Sequence, residues 1–165
     1  MSRSRVEPGP GQESAWDYPR PPRVEPSAET VEIHLGGIVV ARTTSSLRVL
    51  ETSHPPVYYL PLAAFTDGAL RPVAAGTTYC EWKGTATYYD VVTAAHTASR
   101  AAWTYLHPTP GFEPLVGHVA VMPGLMDACT VDGEPVTPQE GGFYGGWITS
   151  RVVGPFKGAP GTRGW

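Results

Sequence analysis

Cysteine is scarce in this 165-residue chain. Only Cys80 and Cys129 occur, far apart and without CxxC or Cys/His spacing, so they read as reduced thiols rather than zinc ligands. Charge is also sparse: charged residues make up 16 %, the net charge is -3, and the twelve Lys and Arg are scattered without a basic cluster. That distribution argues against a nucleic-acid partner. No apolar stretch approaches the roughly 20 residues that cross a bilayer, and MSRSRVEPGPGQE lacks the apolar segment of a signal peptide. A cytoplasmic protein with no membrane partner is expected. The histidines, His34, His54, His96, His107 and His118, show neither HxH nor HExxH spacing, so no metal site is expected from local sequence. GxGxxG, GxxxxGK[ST] and GxSxG are all missing, which removes phosphate-loop enzymes and serine hydrolases and leaves no cofactor to expect.

What is present is a turn-rich β pattern. With 41 % hydrophobic residues, 19 glycines and 18 prolines, the chain is long enough for one core plus tails. Residues 1–28 form a Pro-rich arm that favours neither helix nor strand, yet SAWDYPRPPR sets Trp16 and Tyr18 beside Asp17 and two arginines, unlike a disordered tail. Residues 29–137 read as a single β domain. VEIHL-GG-IVVAR alternates apolar and polar positions around Gly36-Gly37, the signature of a two-residue hairpin. Leu47–Leu50 and Val57–Leu60 are short strands joined through Pro55-Pro56, and residues 61–76 read as loop. TTYCEWKGTATYYDV reads as a hairpin about Lys83-Gly84, with Cys80 and Trp82 on one face of its first strand and Tyr79, Glu81 and Lys83 on the other. Both faces of its return strand carry apolar or aromatic groups, so the hairpin is expected to be covered on both sides. AAHTASRAAW, whose apolar positions are mostly alanine, reads as loop. Strands are expected at 103–105 and 117–122, and a hairpin at 128–136 about Asp132-Gly133. Residues 138–165 form a Gly- and aromatic-rich tail expected to lie against the domain.

Each candidate group has a bland alternative. Cys80 is a nucleophile if a neighbour lowers its pKa, or a small buried residue. Lys83 is an exposed turn lysine, or an anion- or carbonyl-binding group if buried. Glu51, just before the Pro-Pro turn, is a general base if burial raises its pKa, or an acceptor of backbone N–H bonds.

LRVLETSHPPVYYLP, TTYCEWKGTATYYDV, AAWTY at 101–105 and GHVAV at 117–121 together resemble the bacterial and fungal family known as domain of unknown function 427, sometimes labelled a nucleotidyltransferase-type domain. The resemblance covers roughly residues 30–136, and the two tails are similar to those of an actinomycete-like subtype. Glu81-Trp82 stands where the family commonly has Pro-Tyr, and Leu60-Pro61-Leu62 where it has Phe-Pro-Arg. The resemblance implies an all-β fold of two small antiparallel sheets, β-tent or Mss4-like, with the tails packed on it. It supplies no activity, and no paired metal-binding aspartates or Gly-Ser phosphate motif support the nucleotidyltransferase label.

The expected function is binding of a small metabolite, with enzymatic turnover, in a cleft between the two sheets. Glu51, Cys80 and Lys83 are the candidate catalytic groups; Tyr59, Tyr88, Trp82, Trp103, Tyr105 and Trp16 are the candidate binding walls. The alternative is a non-catalytic ligand- or peptide-binding module, and a homodimer is compatible with either.

Overall fold

The computed structural model describes residues 4–74, 77–80 and 82–165; Glu81, expected beside Lys83, lies outside the described residues. The chain is all-β, its helical segments being single 3-10 turns. In chain order the strands are β1 (Glu13–Ser14), β2 (Arg23–Ser27), β3 (Val31–Leu35), β4 (Ile38–Thr43), β5 (Ser46–Leu50), β6 (Val57–Pro61), β7 (Leu70–Pro72) and β8 (Thr78–Cys80). They continue with β9 (Gly84–Val92), β10 (Thr97–Thr104), β11 (His118–Val121), β12 (Ala128–Val131), β13 (Glu134–Pro135), β14 (Thr137–Pro138), β15 (Trp147–Ile148) and β16 (Val152–Val153).

An eight-stranded sheet runs β2-β5-β6-β11-β10-β9-β7, with β8 also paired to β9, and a four-stranded sheet runs β13-β12-β3-β4. All pairings in these two sheets are antiparallel. The smaller sheet follows the sequence pattern directly. Val31, Ile33 and Leu35 are buried while Glu32 and His34 are half-exposed, and Gly36 and Gly37 turn the chain at φ 62° and 81°, angles that L side chains resist.

Strand alternation then divides the core in two. Tyr58 and Leu60 of β6, Val91 of β9, Ala102 of β10 and Val119 and Val121 of β11 face the smaller sheet, meeting Val31, Ile33, Val40 and Cys129 in the main core. The intervening residues, Tyr59, Ala86, Tyr88, Trp103 and Ala120, point to the opposite face of the large sheet and form a second cluster with Val49, Tyr105, Phe112 and Leu115. The return strand of the 78–92 hairpin is therefore covered on both sides, as its composition implies.

Three expectations need correction. AAHTASRAAW is not a loop: Thr97–Thr104 is a full strand of the large sheet. Its alanines do little for hydrophobic burial, but Ala98, Ala101 and Ala102 let the main core close tightly over them, and the ladder to β9 on both ends outweighs their low strand propensity. The interval 61–76 contains β7, paired to β9. The Pro-rich arm contains β2, whose Pro26 sits on the edge strand of the sheet, where a missing N–H is tolerated.

Both tails pack on the domain and on one another. β1 runs parallel to β16, and Ala15, Tyr18, Leu50 and Val152 form a small cluster of their own. Trp16 packs against Trp165 with the rings tilted at 59° and their centres 5.5 Å apart, and its Nε1–H donates to the Pro155 carbonyl at 2.8 Å. Trp147 enters the main core, fully buried against Tyr58 at 4.9 Å.

Candidate functional site

A cleft of about 540 Å3 opens on the second cluster. Its floor is the outer face of the large sheet: Val49, Val57, Tyr59, Ala86, Tyr88, Trp103 and Tyr105 all line it. It does not lie between the two sheets, because that space is filled by the main core. The walls are Tyr79, Cys80, Trp82 and Lys83 on one side and the Glu51–His54 loop with residues 139–145 and Lys157 on the other.

The hairpin turn brings Cys80, Trp82 and Lys83 together. Cys80 pairs with Gly84, so the strand ends before Trp82, and the alternation expected to separate Cys80 from Lys83 does not extend to it. The turn is braced from outside: Thr109 N–H donates to the Lys83 carbonyl at 3.1 Å, and its hydroxyl donates to the carbonyl of Trp82. Gly84, at φ 105°, lies so close to this brace that a Cβ would stand 3.3 Å from the His107 carbonyl. Lys83 Nζ sits 5.7 Å from the centre of the Tyr105 ring.

The floor holds a chain of hydroxyl and indole groups. Trp103 Nε1–H donates to the Tyr59 hydroxyl at 3.1 Å, and the two rings meet edge to face. Burial pushes the Tyr59 phenol well above its ordinary value, and burial followed by the nearby Tyr59 does the same to Tyr105, so both stay protonated at neutral pH.

Opposite them, Glu51 and His54 are positioned by the N-terminal arm. Arg20 reaches Glu51 Oε2 at 3.4 Å and the Thr52 carbonyl at 2.9 Å, while Thr52 Oγ1 donates to the Tyr18 carbonyl at 2.6 Å. His54 N–H closes a turn onto the Glu51 carbonyl. Burial holds His54 below its ordinary pKa, although the neighbouring Glu51 pulls the other way. The neutral ring places Nδ1 3.0 Å from the Thr52 carbonyl. A carbonyl only accepts, so Nδ1 carries the proton and Nε2 keeps the lone pair of a base. Glu51 Oε2 stands 3.8 Å from the same Nδ1, close enough to stabilise a charged imidazole once formed.

The C-terminal tail completes the wall. Gln139 Nε2–H donates to the Lys157 carbonyl at 2.7 Å, its Oε1 accepts from Gly146 N–H at 3.2 Å, and Lys157 N–H donates to the Ser53 carbonyl at 2.8 Å. Tyr144 meets the His54 ring edge-on at 5.5 Å.

Of the sequence candidates, Glu51, Cys80, Lys83, Tyr59, Tyr88, Trp82, Trp103 and Tyr105 all line this cleft, whereas Trp16 does not and packs on Trp165 instead. Among the described residues, no hydrogen bond joins Glu51 to Cys80 or Lys83. From the sequence, His54, Gln139, Tyr144 and Lys157 have no expected site role; His54 directly precedes Pro55-Pro56 and Tyr144 belongs to the aromatic-rich tail, whereas Gln139 and Lys157 carry no local signal. Among the described residues, no group of three or more His, Cys, Asp or Glu is disposed to hold a metal ion, and no helix is long and apolar enough to cross a membrane. A second, shallower depression of about 270 Å3 is lined by Glu13, Glu25, Glu29, Arg48 and Arg151, charges already paired with one another.

No curated protein matches the chain. The model of the family described as a domain of unknown function (DUF427) matches residues 23–132, a span that contains the sheet floor, Glu51, His54 and the Cys80–Lys83 turn but neither Arg20 nor the tail wall. On that match, covering more than half of its length, the chain belongs to the DUF427 family.

Proposed function

We propose that the cleft binds an organic small molecule and transfers a proton on it, with His54 as the base and Glu51 as the group that stabilises its charged form. The observation that carries this reading is the convergence of eight sequence candidates on one cleft of about 540 Å3, within the usual range for ligand sites, with a neutral, tautomer-fixed histidine in its wall. Tyr59, Trp103 and Tyr105 offer the apolar floor, and the buried phenols stay protonated, each keeping an O–H donor while the Tyr59 oxygen accepts from Trp103. Cys80 sits half-buried beside Trp82, suited to contact a ligand and not required for the proton transfer.

The competing reading, a non-catalytic binding module, has one observation in its favour: among the described residues, no hydrogen bond or ion pair joins Glu51 to Cys80 or Lys83, although all three line the cleft. The two separate experimentally. Crystals of the protein as purified, followed by fragment soaking, are expected to show ligand in the cleft against Trp82 and Trp103. For a ligand so identified, Glu51→Gln and His54→Gln should keep binding and lose turnover by roughly a hundredfold or more. Fragments that bind only elsewhere would sink the site, and turnover unaffected by either substitution would sink the catalytic role.

A further inference from the structure

Lysine occurs only twice in this chain, at Lys83 and Lys157, and both line the cleft. They reach it from unrelated parts of the fold, one from the turn after β8 and one from the C-terminal tail. Each ammonium lies near a tyrosine face, 5.7 Å from the Tyr105 centroid for Lys83 and 6.0 Å from that of Tyr144 for Lys157. Neither forms an ion pair with a described residue. The lining's described carboxylate is Glu51, which already faces Arg20. Among the described residues of the lining, the two lysines thus outnumber the one carboxylate, in a protein whose net charge is -3. Ring contacts connect the two lysines. Tyr105 meets Tyr59 and Tyr59 meets Trp103, each at 6.4 Å. Gly145 rests on the Trp103 indole so closely that a Cβ would stand 2.4 Å from it, and the preceding residue, Tyr144, lies beneath Lys157.

We propose that the cleft takes an anionic small molecule with a flat, conjugated body, its carboxylate or phosphate at Lys83 or Lys157 and its body against Tyr59, Trp103 and Tyr105. This rests on the small-molecule reading above and adds the ligand's charge and shape. An ammonium held over an aromatic face in a half-enclosed groove is partly stripped of water, and the ring quadrupole offsets only part of that loss. An anion offsets the rest with charge-assisted hydrogen bonds, while a neutral isostere leaves both ammoniums without one. Flat ligands fit because the floor is made of π faces and edges rather than branched aliphatics.

The test uses naphthalene-2-carboxylate and 2-naphthyl phosphate against naphthalene-2-carboxamide and 2-naphthol. Binding to the full chain is measured by calorimetry and ligand-observed NMR at low and moderate salt. The anions are expected to bind roughly tenfold more tightly than their neutral isosteres, with the preference shrinking as salt rises. The tighter of the two anions identifies the class. Lys83→Gln or Lys157→Gln should remove most of the preference, and the matching Lys→Arg variants should keep it, which separates charge from folding. If the amide and naphthol bind as well as the anions, or if both Gln variants leave the ratio unchanged, the anion assignment is wrong while the cleft remains a binding site. If no probe, charged or neutral, binds at all, the small-molecule reading falls with it.

Discussion

Trp147 offers the sharpest measure of whether the C-terminal segment belongs to the folded unit. Its side chain is fully buried in the main core on Tyr58, its backbone N–H donates to the Pro56 carbonyl at 2.8 Å, and it pairs with Pro138 across β14 and β15. An aromatic side chain of this kind removes about 150–250 Å2 from water, which at about 25 cal/mol per Å2 amounts to roughly 4–6 kcal/mol. Its Nε1–H makes no hydrogen bond in the core, and deleting that group recovers about 1–3 kcal/mol. The difference centres on about 3 kcal/mol and the cavity left by the ring adds to it, so Trp147→Ala should cost about 3–4 kcal/mol, inside the range of about 3–5 found for such truncations. At about 2–4 °C per kcal/mol for a domain of this size, Tm falls by roughly 6–16 °C. Trp147→Phe keeps a ring and loses the unpartnered N–H, so its cost should be less than half as large. Calorimetric melts of the two variants read both numbers directly. A shift under about 2 °C for Trp147→Ala would mean that the tail is an appendage, and the reasoning that builds the cleft wall from it would fail.

Three further outcomes follow from the same geometry. Burial lowers the His54 pKa, so the unfolded chain binds more protons below the ordinary value of 6.5; stability should be full above that pH and decline as pH falls through the window beneath it, and His54→Gln should flatten the slope in urea titrations at pH 7 and pH 5.5. Asp90, Asp132 and Glu134 have their carboxyls held low, first by a backbone hydrogen bond, a backbone hydrogen bond and the Ser150 hydroxyl respectively, so they titrate in a more acidic range and do not mask this effect. Cys129 is buried, which pushes its thiol up to about 12, whereas Cys80 lies half-buried in the cleft lining; iodoacetamide at pH 8 should label Cys80 and spare Cys129, read by peptide mass spectrometry, with equal labelling counting against the placement. Gly145→Ala should lower fragment affinity several-fold with little change in fold, because a Cβ there stands 2.4 Å from the Trp103 ring, which the Tyr59 hydroxyl keeps from turning away; unchanged affinity would show that the 139–145 loop is not part of the binding wall.

Legibility in the sequence followed the range over which each feature is determined. The Gly36-Gly37 turn, the alternation of β3 and the two-sided cover of β9 depend on neighbours in the chain, and all three could be read from residue order. The strand Thr97–Thr104 could not, because alanine has no strong β preference and only the ladders to β9 and β11 make it a strand. Cys80 and Lys83 were expected on opposite faces because period-two parity was extended three residues past the point where the strand ends. Trp16 and Trp103 read alike as aromatic walls of the cleft, but the docking of one tail on the other claims Trp16 for Trp165. The cleft was expected between the sheets, and no local pattern says which face of a strand meets the second sheet and which is left open.

That open face carries the functional argument. The large sheet is apolar on both sides, yet only one side is closed by the four-stranded sheet. The other is closed in parts, by the Cys80–Lys83 turn, by the 113–115 turn beneath Leu115, and by the C-terminal tail, and the cleft is what these covers leave uncovered. Its floor, its Glu51–His54 corner and Lys83 all fall within residues 23–132, the span that the family model matches. Its far wall, with Gln139, Tyr144 and Lys157, and the Arg20 contact to Glu51 fall outside that span. The Glu51–His54 corner and the aromatic floor therefore fall within the span that the family model matches, whereas Lys157 and the loop that narrows the cleft lie outside it. On the reading proposed above, the reactive groups lie on the sheet face and the groups that narrow the cleft lie on the tails, but the tails are also structural: Trp147 fills the main core, and Arg20 and the Tyr18 carbonyl hold the Glu51–His54 turn.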